Sequence, residues 1–288
     1  MISYTLPDFV NGLWRNIFFI RLSKQHPEYF KDELRISSVY GCFPGCIMNG
    51  GRTFIKKPYT KAQMTEVFSL LDAHGVTARL TLTNMLIEEE HLHDEYFRAM
   101  MDCARDHNVE VIIYSELLSE YVAKHYGFKQ VLSTTRPLAN IDELNQATKR
   151  YDYVVLDYNR NKDLEFINRI EDKDKIEVMV NEFCRPGCPY RHKHYRHNSK
   201  DQLDGVIRPF RSCDVTTGEF FAHPPEHPVI LTDQQVLTLH HEYDINNFKI
   251  VGRGIPFETV LESYVYYLLK PKYRPQVTPL ARQALTLS

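Results

Sequence analysis

The chain lacks any uninterrupted apolar run of membrane-spanning length. A transmembrane helix needs roughly 20 mostly apolar residues, and no such run occurs in the 288 residues. The opening stretch MISYTLPDFVNGLWRNIFFIRL also lacks the charged region, apolar core and small-residue cleavage site of a signal peptide. We therefore expect a cytoplasmic protein without membrane contact.

The sequence also has little net charge. Its 35 Lys and Arg nearly balance its 37 Asp and Glu, which leaves a formal charge of −2. This balance argues against long-range steering of a polyanion, although a local basic patch is compatible with it. A G-x-G-x-x-G motif is missing after every strand-like run, so nothing indicates dinucleotide binding.

Cysteine is scarce, but four of the six cysteines occur in two copies of one pattern. The copies are CFPGC at 42–46 and CRPGC at 184–188. Proline followed by glycine is the central pair of a type II turn, which can bring the two flanking thiols together. In a reducing compartment, paired loop cysteines indicate a metal or a catalytic site before a disulfide. Burial as small core residues is the alternative.

Eight short β-rich runs alternate with stretches of helical periodicity. The runs are 35–41, 76–82, 109–115, 129–134, 151–157, 175–182, 228–232 and 246–252. Alternating strands and helices predict parallel pairing through right-handed crossovers. The sequence therefore predicts an α/β fold, a single (β/α)8 TIM-like barrel over residues 1–288, with a doubly wound open sheet as the alternative.

Three segments fall outside this alternation. Residues 1–33 are expected to form an N-terminal helical segment, and residues 276–288 a C-terminal tail. A Cys/His/Arg-rich insertion, 183–227, follows the sixth run. Long non-periodic insertions in compact domains are usually functional or disordered. The arginines of this insertion face either a substrate or solvent.

Barrel enzymes place their active sites at the carboxyl ends of the strands. Both cysteine pairs follow predicted strands, and so do the charged residues Arg52, Arg136, Asp157, Arg160, Glu182, Lys249 and Arg253. Arginine forks suit a small acidic ligand, so we expect Arg52, Arg136, Arg160 and Arg253 to serve a small anionic molecule. An ion pair of Arg253 with Glu182 or Asp157 is the alternative for that residue.

Four thiolates suit a tetrahedral zinc or an iron-sulfur cluster. The radical S-adenosylmethionine pattern C-x3-C-x2-C is not met, because Asn49 and Arg191 stand where its third cysteine belongs. Cys213, in RPFRSCD, could replace one of the cysteines at 42 and 46. Histidines of the insertion leave mixed zinc ligation open, although no H-E-x-x-H motif supports a zinc hydrolase.

Two segments resemble a known family. INNFKIVGRGIPFETVLESYVYYLLKPKYR, 245–274, resembles the last barrel strand and following helix of the collagenase-like peptidase U32 family. NEFCRPGCPYRHKHY, 181–195, resembles that family's cysteine-bearing segment after the equivalent strand. The resemblance covers about residues 150–275. Lys249 and Arg253 match the lysine and arginine of the strand motif, while Val251 stands where the family usually has glutamate.

The resemblance implies a TIM barrel with a 4Fe-4S cluster held by four cysteines. Carried over to this chain, it implies Cys184, Cys188 and Cys213 as ligands, with Cys46 or Cys42 as the fourth. It further implies oxygen-independent hydroxylation of an RNA base or a small ring substrate, and in some members a partner subunit.

We accordingly expect an iron-sulfur barrel enzyme whose candidate catalytic residues are Arg253, Lys249, Glu182 and Asp157. A zinc-dependent hydrolase or peptidase is one alternative. A non-catalytic subunit that is stabilised by a metal and docks a protein partner is the other.

Overall fold

The computed structural model describes residues 1–211 and 229–286, apart from Thr53 and Ala139. Eight parallel strands close into a barrel in chain order, with the last strand pairing with the first. The strands are β1 Ile2–Pro7, β2 Leu34–Gly41, β3 Thr77–Leu82, β4 Val109–Ile113, β5 Lys129–Leu132, β6 Tyr153–Val155, β7 Ile176–Met179 and β8 Asn247–Lys249. The predicted (β/α)8 barrel is confirmed.

Helices surround this barrel. They are α1 Leu13–Gln25, α2 Lys61–Ala73, α3 Glu95–Ala104, α4 Glu116–His125, α5 Ile141–Arg150, α6 Leu164–Asn168, α7 Arg191–Asp204, α8 Asp233–Tyr243, α9 Phe257–Leu268 and α10 Arg274–Thr286. Capping side chains determine where several of these helices begin. Thr60 and Gln63 form a capping box before α2, and the Asn140 side chain accepts two backbone hydrogen bonds at the start of α5. Among the described residues, no helix has the length and apolar character to cross a membrane.

Three of the segment predictions were wrong. Residues 2–7 form β1, which is buried at every position, instead of belonging to a helical segment. Residues 229–232 form no strand; Val229, Ile230 and Leu231 are buried, which accounts for their apolar pattern without a sheet ladder. The predicted C-terminal tail lies largely in α10.

The insertion follows β7, which is the sixth of the predicted runs. Its helix α7 packs on the loops after β2 and β3. Gln202 accepts a hydrogen bond from the Phe54 backbone nitrogen and donates to the Cys46 carbonyl oxygen, while the Ser199 hydroxyl accepts one from the Met85 backbone nitrogen. Because these contacts come from one face of the helix, α7 forms part of the wall at the carboxyl end of the barrel.

A charged network fills part of the barrel interior. The fully buried Glu177 accepts hydrogen bonds from Thr5, at 2.6 Å, and from Arg79, and its second oxygen lies 3.3 Å from Lys249 Nζ. Arg79 also pairs with Glu110 at 2.6 Å. Burial opposes ionisation, but Lys249 and Arg79 hold the pKa of Glu177 below its ordinary value. Two carboxylates thus balance two cations inside the barrel.

We predict that Glu177→Gln strongly destabilises the fold. The substitution leaves Lys249 and Arg79 in the interior with one carboxylate between them, and breaking a buried ion pair costs about 3–5 kcal/mol. Urea unfolding followed by circular dichroism measures the loss. Glu66→Gln, on the exposed face of α2, is the control and should stay within about 0.5 kcal/mol of the wild type. Equal stability of the two variants would contradict the prediction.

Candidate functional site

A cavity opens at the carboxyl ends of the strands, which we call the mouth cavity. Its lining residues are Tyr40, Gly51, Arg52, Thr81, Thr83, Ile112, Ser133, Thr134, Thr135, Met179, Glu182, Tyr195, Lys249, Val251 and Arg253. The structure therefore brings four of the predicted site residues, Arg52, Glu182, Lys249 and Arg253, to one place. Hydroxyl groups and three cationic side chains dominate the polar lining.

Two mouth arginines contact only uncharged groups. Arg253 donates to Thr81 Oγ1 at 2.7 Å and to Asn49 Oδ1 at 3.1 Å. Arg52 donates to the backbone oxygens of Arg253 and Gly51, each at 3.3 Å. No ion pair among the described residues includes either arginine, whereas Arg79, Arg160 and Arg191 all have carboxylate partners. Neither guanidinium thus has a carboxylate within ion-pair distance in the described residues, although the charge of Arg52 contributes to the lowered pKa of Glu182.

Two glycines make room for this arrangement. A Cβ on Gly50 would lie 2.5 Å from Asn84 Cα and from the Thr83 carbonyl oxygen. A Cβ on Gly51 would lie 2.7 Å from Arg253 Nη2. The N-G-G-R loop after β2 thus approaches the end of β3 closely and leaves space for the Arg253 guanidinium, which only glycine permits without displacement.

Lys249 lies at the floor of the mouth cavity, near the end of β8. Its Nζ is 4.3 Å from the centre of the Tyr40 ring, and the Arg253 guanidinium carbon is 5.5 Å from the same centre. Burial lowers the pKa of Lys249 to about 8, although the attraction of Glu177 opposes this shift. A buried lysine with a lowered pKa can supply a neutral amine near physiological pH.

Glu182 has a positioning role in the structure. Its carboxylate binds Arg191 of α7 at 2.8 Å and accepts hydrogen bonds from the backbone nitrogens of Phe183 and Cys184. Burial opposes its ionisation, yet Arg191 keeps the pKa of Glu182 below its ordinary value. The alternative pairing of Arg253 with Glu182 is not formed, because Arg191 is the partner of Glu182.

Arg191 itself is held by aromatic rings. Its guanidinium carbon lies 4.2 Å from the Tyr158 ring centre and 4.9 Å from that of Tyr195. Tyr195 lines the mouth cavity. One buried ion pair and two cation-π contacts therefore fix the start of the insertion helix against the cavity.

Three other predicted residues lie away from the mouth cavity. Arg136 pairs with Glu116 at the start of α4, and Arg160 pairs with Asp163 at 2.7 Å. Asp157 accepts hydrogen bonds from the backbone nitrogen and side-chain amide of Asn159, each at 2.8 Å. These three lie after β5 and β6, where Arg136 contacts the start of α4 and the other two contact neighbours in their own loop.

The first cysteine pair is packed into the hydrophobic core. Cys42 is 3% exposed and Cys46 is fully buried, beside Phe43. The backbone nitrogen of Cys46 donates to the Phe43 carbonyl oxygen at 3.3 Å, and Gly45 has φ +90°, as the predicted proline-glycine turn requires. A hydrogen bond with Cys42 and burial raise the pKa of the Cys46 thiol well above its ordinary value.

The second pair is less buried than the first. Cys184 and Cys188 are half-buried, and burial raises the pKa of Cys184, although Arg191 opposes this shift. Within residues 1–211 and 229–286, no group of three metal-binding donors includes a cysteine. The predicted ligand Cys213 lies outside the described residues. A 4Fe-4S cluster takes four thiolates, so the described residues contain only part of the predicted ligand set.

The sequence reading missed the charged residues inside the strands. Arg79 and Glu177 interrupt the apolar runs VTARLTL and KIEVMVNE, and a charge in the middle of a buried strand indicates a paired partner across the barrel. Tyr40 and Arg191, which organise the cations and the insertion, carry no comparable signal in the sequence.

Comparison with solved structures shows a related fold. The U32 peptidase Mk0906 superposes with a TM-score of 0.56 at 14% identity, over 89% of this chain and 94% of that chain. A conserved protein of unknown function from a locus in Enterococcus faecalis gives a TM-score of 0.32 at 12% identity, over 92% of this chain and 65% of that one. No protein-family profile matches, and no curated protein matches by sequence. The chain thus has the barrel fold of a U32 peptidase.

We predict that the Lys249 amine titrates with a midpoint near pH 8. Competitive labelling with trace acetic anhydride from pH 6 to 11, followed by peptide mapping, measures its reactivity against that of the exposed Lys124. Because only the neutral amine reacts, labelling of Lys249 should reach half of its maximum near pH 8. A profile coinciding with that of Lys124 would contradict the prediction.

Proposed function

We propose that the chain is a barrel enzyme that binds a small anionic substrate in the mouth cavity. Arg52 and Arg253 would bind the anion, and the Lys249 amine would accept a proton from the bound molecule. The observation that supports this proposal most directly is the pair of arginines that form no ion pair with a described carboxylate, beside a buried lysine of lowered pKa.

The charges of the mouth favour an anion in spite of the chain's net charge of −2. Glu182 is the acidic side chain of the cavity lining, and its charge is matched by Arg191. Lys249 is paired with Glu177, so Arg52 and Arg253 remain as the positive charges of a partly buried site, where charge interactions exceed those in water. Guanidinium groups bind carboxylates and phosphates through two parallel hydrogen bonds.

Lys249 fits the role of proton acceptor because a general base is most effective when its pKa is near the working pH. Glu177 beneath it holds the amine in place, and the Tyr40 ring limits its movement on another side. Hydroxyls of Thr81, Thr83 and Thr135 line the cavity and can orient the substrate.

The proposal concerns a small molecule more than an RNA or a peptide. The two arginines that would bind the anion line one cavity instead of forming an extended basic surface. The likeness to Mk0906 concerns the fold, and a barrel fold hosts many unrelated activities. Peptide hydrolysis therefore gains no support from the arrangement of the mouth.

We expect Arg253→Ala and Arg52→Ala each to weaken anion binding about 10- to 100-fold, because a hydrogen bond to a charged group contributes about 1.5–3 kcal/mol. Isothermal titration with citrate and with inorganic phosphate as probes measures this change. Arg160→Ala, which removes an arginine outside the mouth cavity, is the matched control. Failure of both anions to bind the wild type, or an equal loss in Arg160→Ala, would refute the proposal.

A second candidate is a cluster-bearing enzyme for oxygen-independent hydroxylation, with zinc as the alternative metal. The two C-x-P-G-C turns support it, since both follow strands at the carboxyl end of the barrel. Cys213 would have to join the described cysteines in one ligand set. A non-catalytic, metal-stabilised subunit is a further form of this candidate.

Metal analysis tests this second candidate. Anaerobically purified protein should be brown and contain about four iron atoms and four sulfides per chain, and the double variant Cys184→Ala, Cys188→Ala should lose both. Colourless protein without iron would reject the cluster. Stoichiometric zinc that the double variant loses would favour the zinc alternative, and retained folding in that variant would argue against a purely structural metal.

A further inference from the structure

Three metal-binding side chains meet at the opposite end of the barrel from the mouth cavity. Glu33 directly precedes β2, and His240 and His241 lie in the last turns of α8. The Glu33 Oε2 atom is 3.9 Å from His240 Nε2 and 3.8 Å from His241 Nε2. Among the described residues, this is the one group of three histidine, cysteine or carboxylate donors whose ligand atoms all lie within 4.8 Å of one another.

These separations are closer to the distance between two atoms that bind one metal ion than to the length of a hydrogen bond. They exceed the range of a hydrogen bond, which ends near 3.2 Å for these atoms. Ligand atoms about 2.1 Å from a tetrahedral zinc lie about 3.4 Å apart. The two carboxylate-imidazole separations are within 0.5 Å of that value, so small side-chain rotations would close the site around an ion.

The surroundings of the three side chains leave room for an ion. His240 has 10% of its side chain exposed, whereas Glu33 and His241 are each 55% exposed. The His240 ring is thus fixed by packing, and the other two donors reach it from the solvent side. Water can complete the coordination, as in sites with three protein ligands.

The other contacts of these residues are weak. His240 Nε2 has a long contact, 3.4 Å, with the Met1 nitrogen, which an ion would displace. The buried His240 Nδ1 has no hydrogen-bond partner in the described part of the chain. Glu33 has a left-handed backbone, φ +58°, a conformation that is uncommon outside glycine and that concentrates at functional positions.

We propose that Glu33, His240 and His241 bind a divalent transition-metal ion, with zinc as the best fit to two imidazoles and one carboxylate. The ion would link the start of β2 to the end of α8, which are far apart in sequence. At the amino-terminal face of a barrel, such a link serves stability. Because no described group orients Nδ1 of His240, we expect a dissociation constant of about 1–10 µM, weaker than in sites with a complete outer shell.

Zinc titration by calorimetry tests the proposal on the full-length, untagged chain. The double variant Cys184→Ala, Cys188→Ala serves as the background, so that zinc on these thiols is not counted. We expect one zinc per chain in this background and a rise in Tm of roughly 3–8 °C at 100 µM zinc. His241→Ala and Glu33→Gln, both at exposed side chains, should weaken binding at least tenfold and abolish the rise in Tm.

The control is His125→Ala, an exposed histidine outside the cluster, which should bind zinc as the background does. Cobalt substitution adds a spectroscopic check, since a site of imidazole and carboxylate should give cobalt d-d bands without thiolate charge-transfer bands. Zinc affinity that is unchanged in His241→Ala and Glu33→Gln, or the absence of zinc binding, would overturn the proposal. Neither result would affect anion binding at the mouth.

Discussion

The carboxylate of Glu177 is the constraint on which both the barrel interior and the mouth depend. It has no solvent exposure and contacts side chains from β1, β3 and β8. Without it, two cations would remain in the interior with Glu110 as their one carboxylate, at a large cost in free energy. The same carboxylate holds the Lys249 amine below the mouth cavity. One residue thus balances the interior charges and fixes a side chain that lines the mouth cavity.

The arginines at the carboxyl end divide into two groups by their partners. Arg191 is neutralised by Glu182 and stacked between aromatic rings, so it fixes the insertion helix. Arg52 and Arg253 contact hydroxyl, amide and carbonyl oxygens, which orient a guanidinium without cancelling its charge. The mouth is thus positive where a ligand would lie, although the chain as a whole is slightly acidic. Net charge alone gives no indication of this local field.

The alternation of strands and helices was enough to predict the barrel, because each element has its own periodicity. The alternation missed β1, whose six residues precede a helix with apolar residues of its own. It also predicted a strand at 229–232, but these residues pair with no strand of the barrel. Listing residues after the strands found four that line the cavity. The sequence alone could not show which of these loops place side chains in the cavity. Both cysteine pairs do follow strands, but β8 and β1 separate β7 from β2, a distance of about 14 Å at the usual spacing.

The insertion shows why the site cannot be read from loop positions alone. Its helix contributes Tyr195 to the cavity, and its position depends on the Glu182–Arg191 pair and on Gln202, which bonds the loop after β2. Glu182 therefore anchors the helix that carries Tyr195, and its carboxylate is paired with Arg191. The same contacts bind the loop that carries Cys46. These contacts therefore hold the first C-x-P-G-C loop and the wall of the mouth cavity in one packed unit.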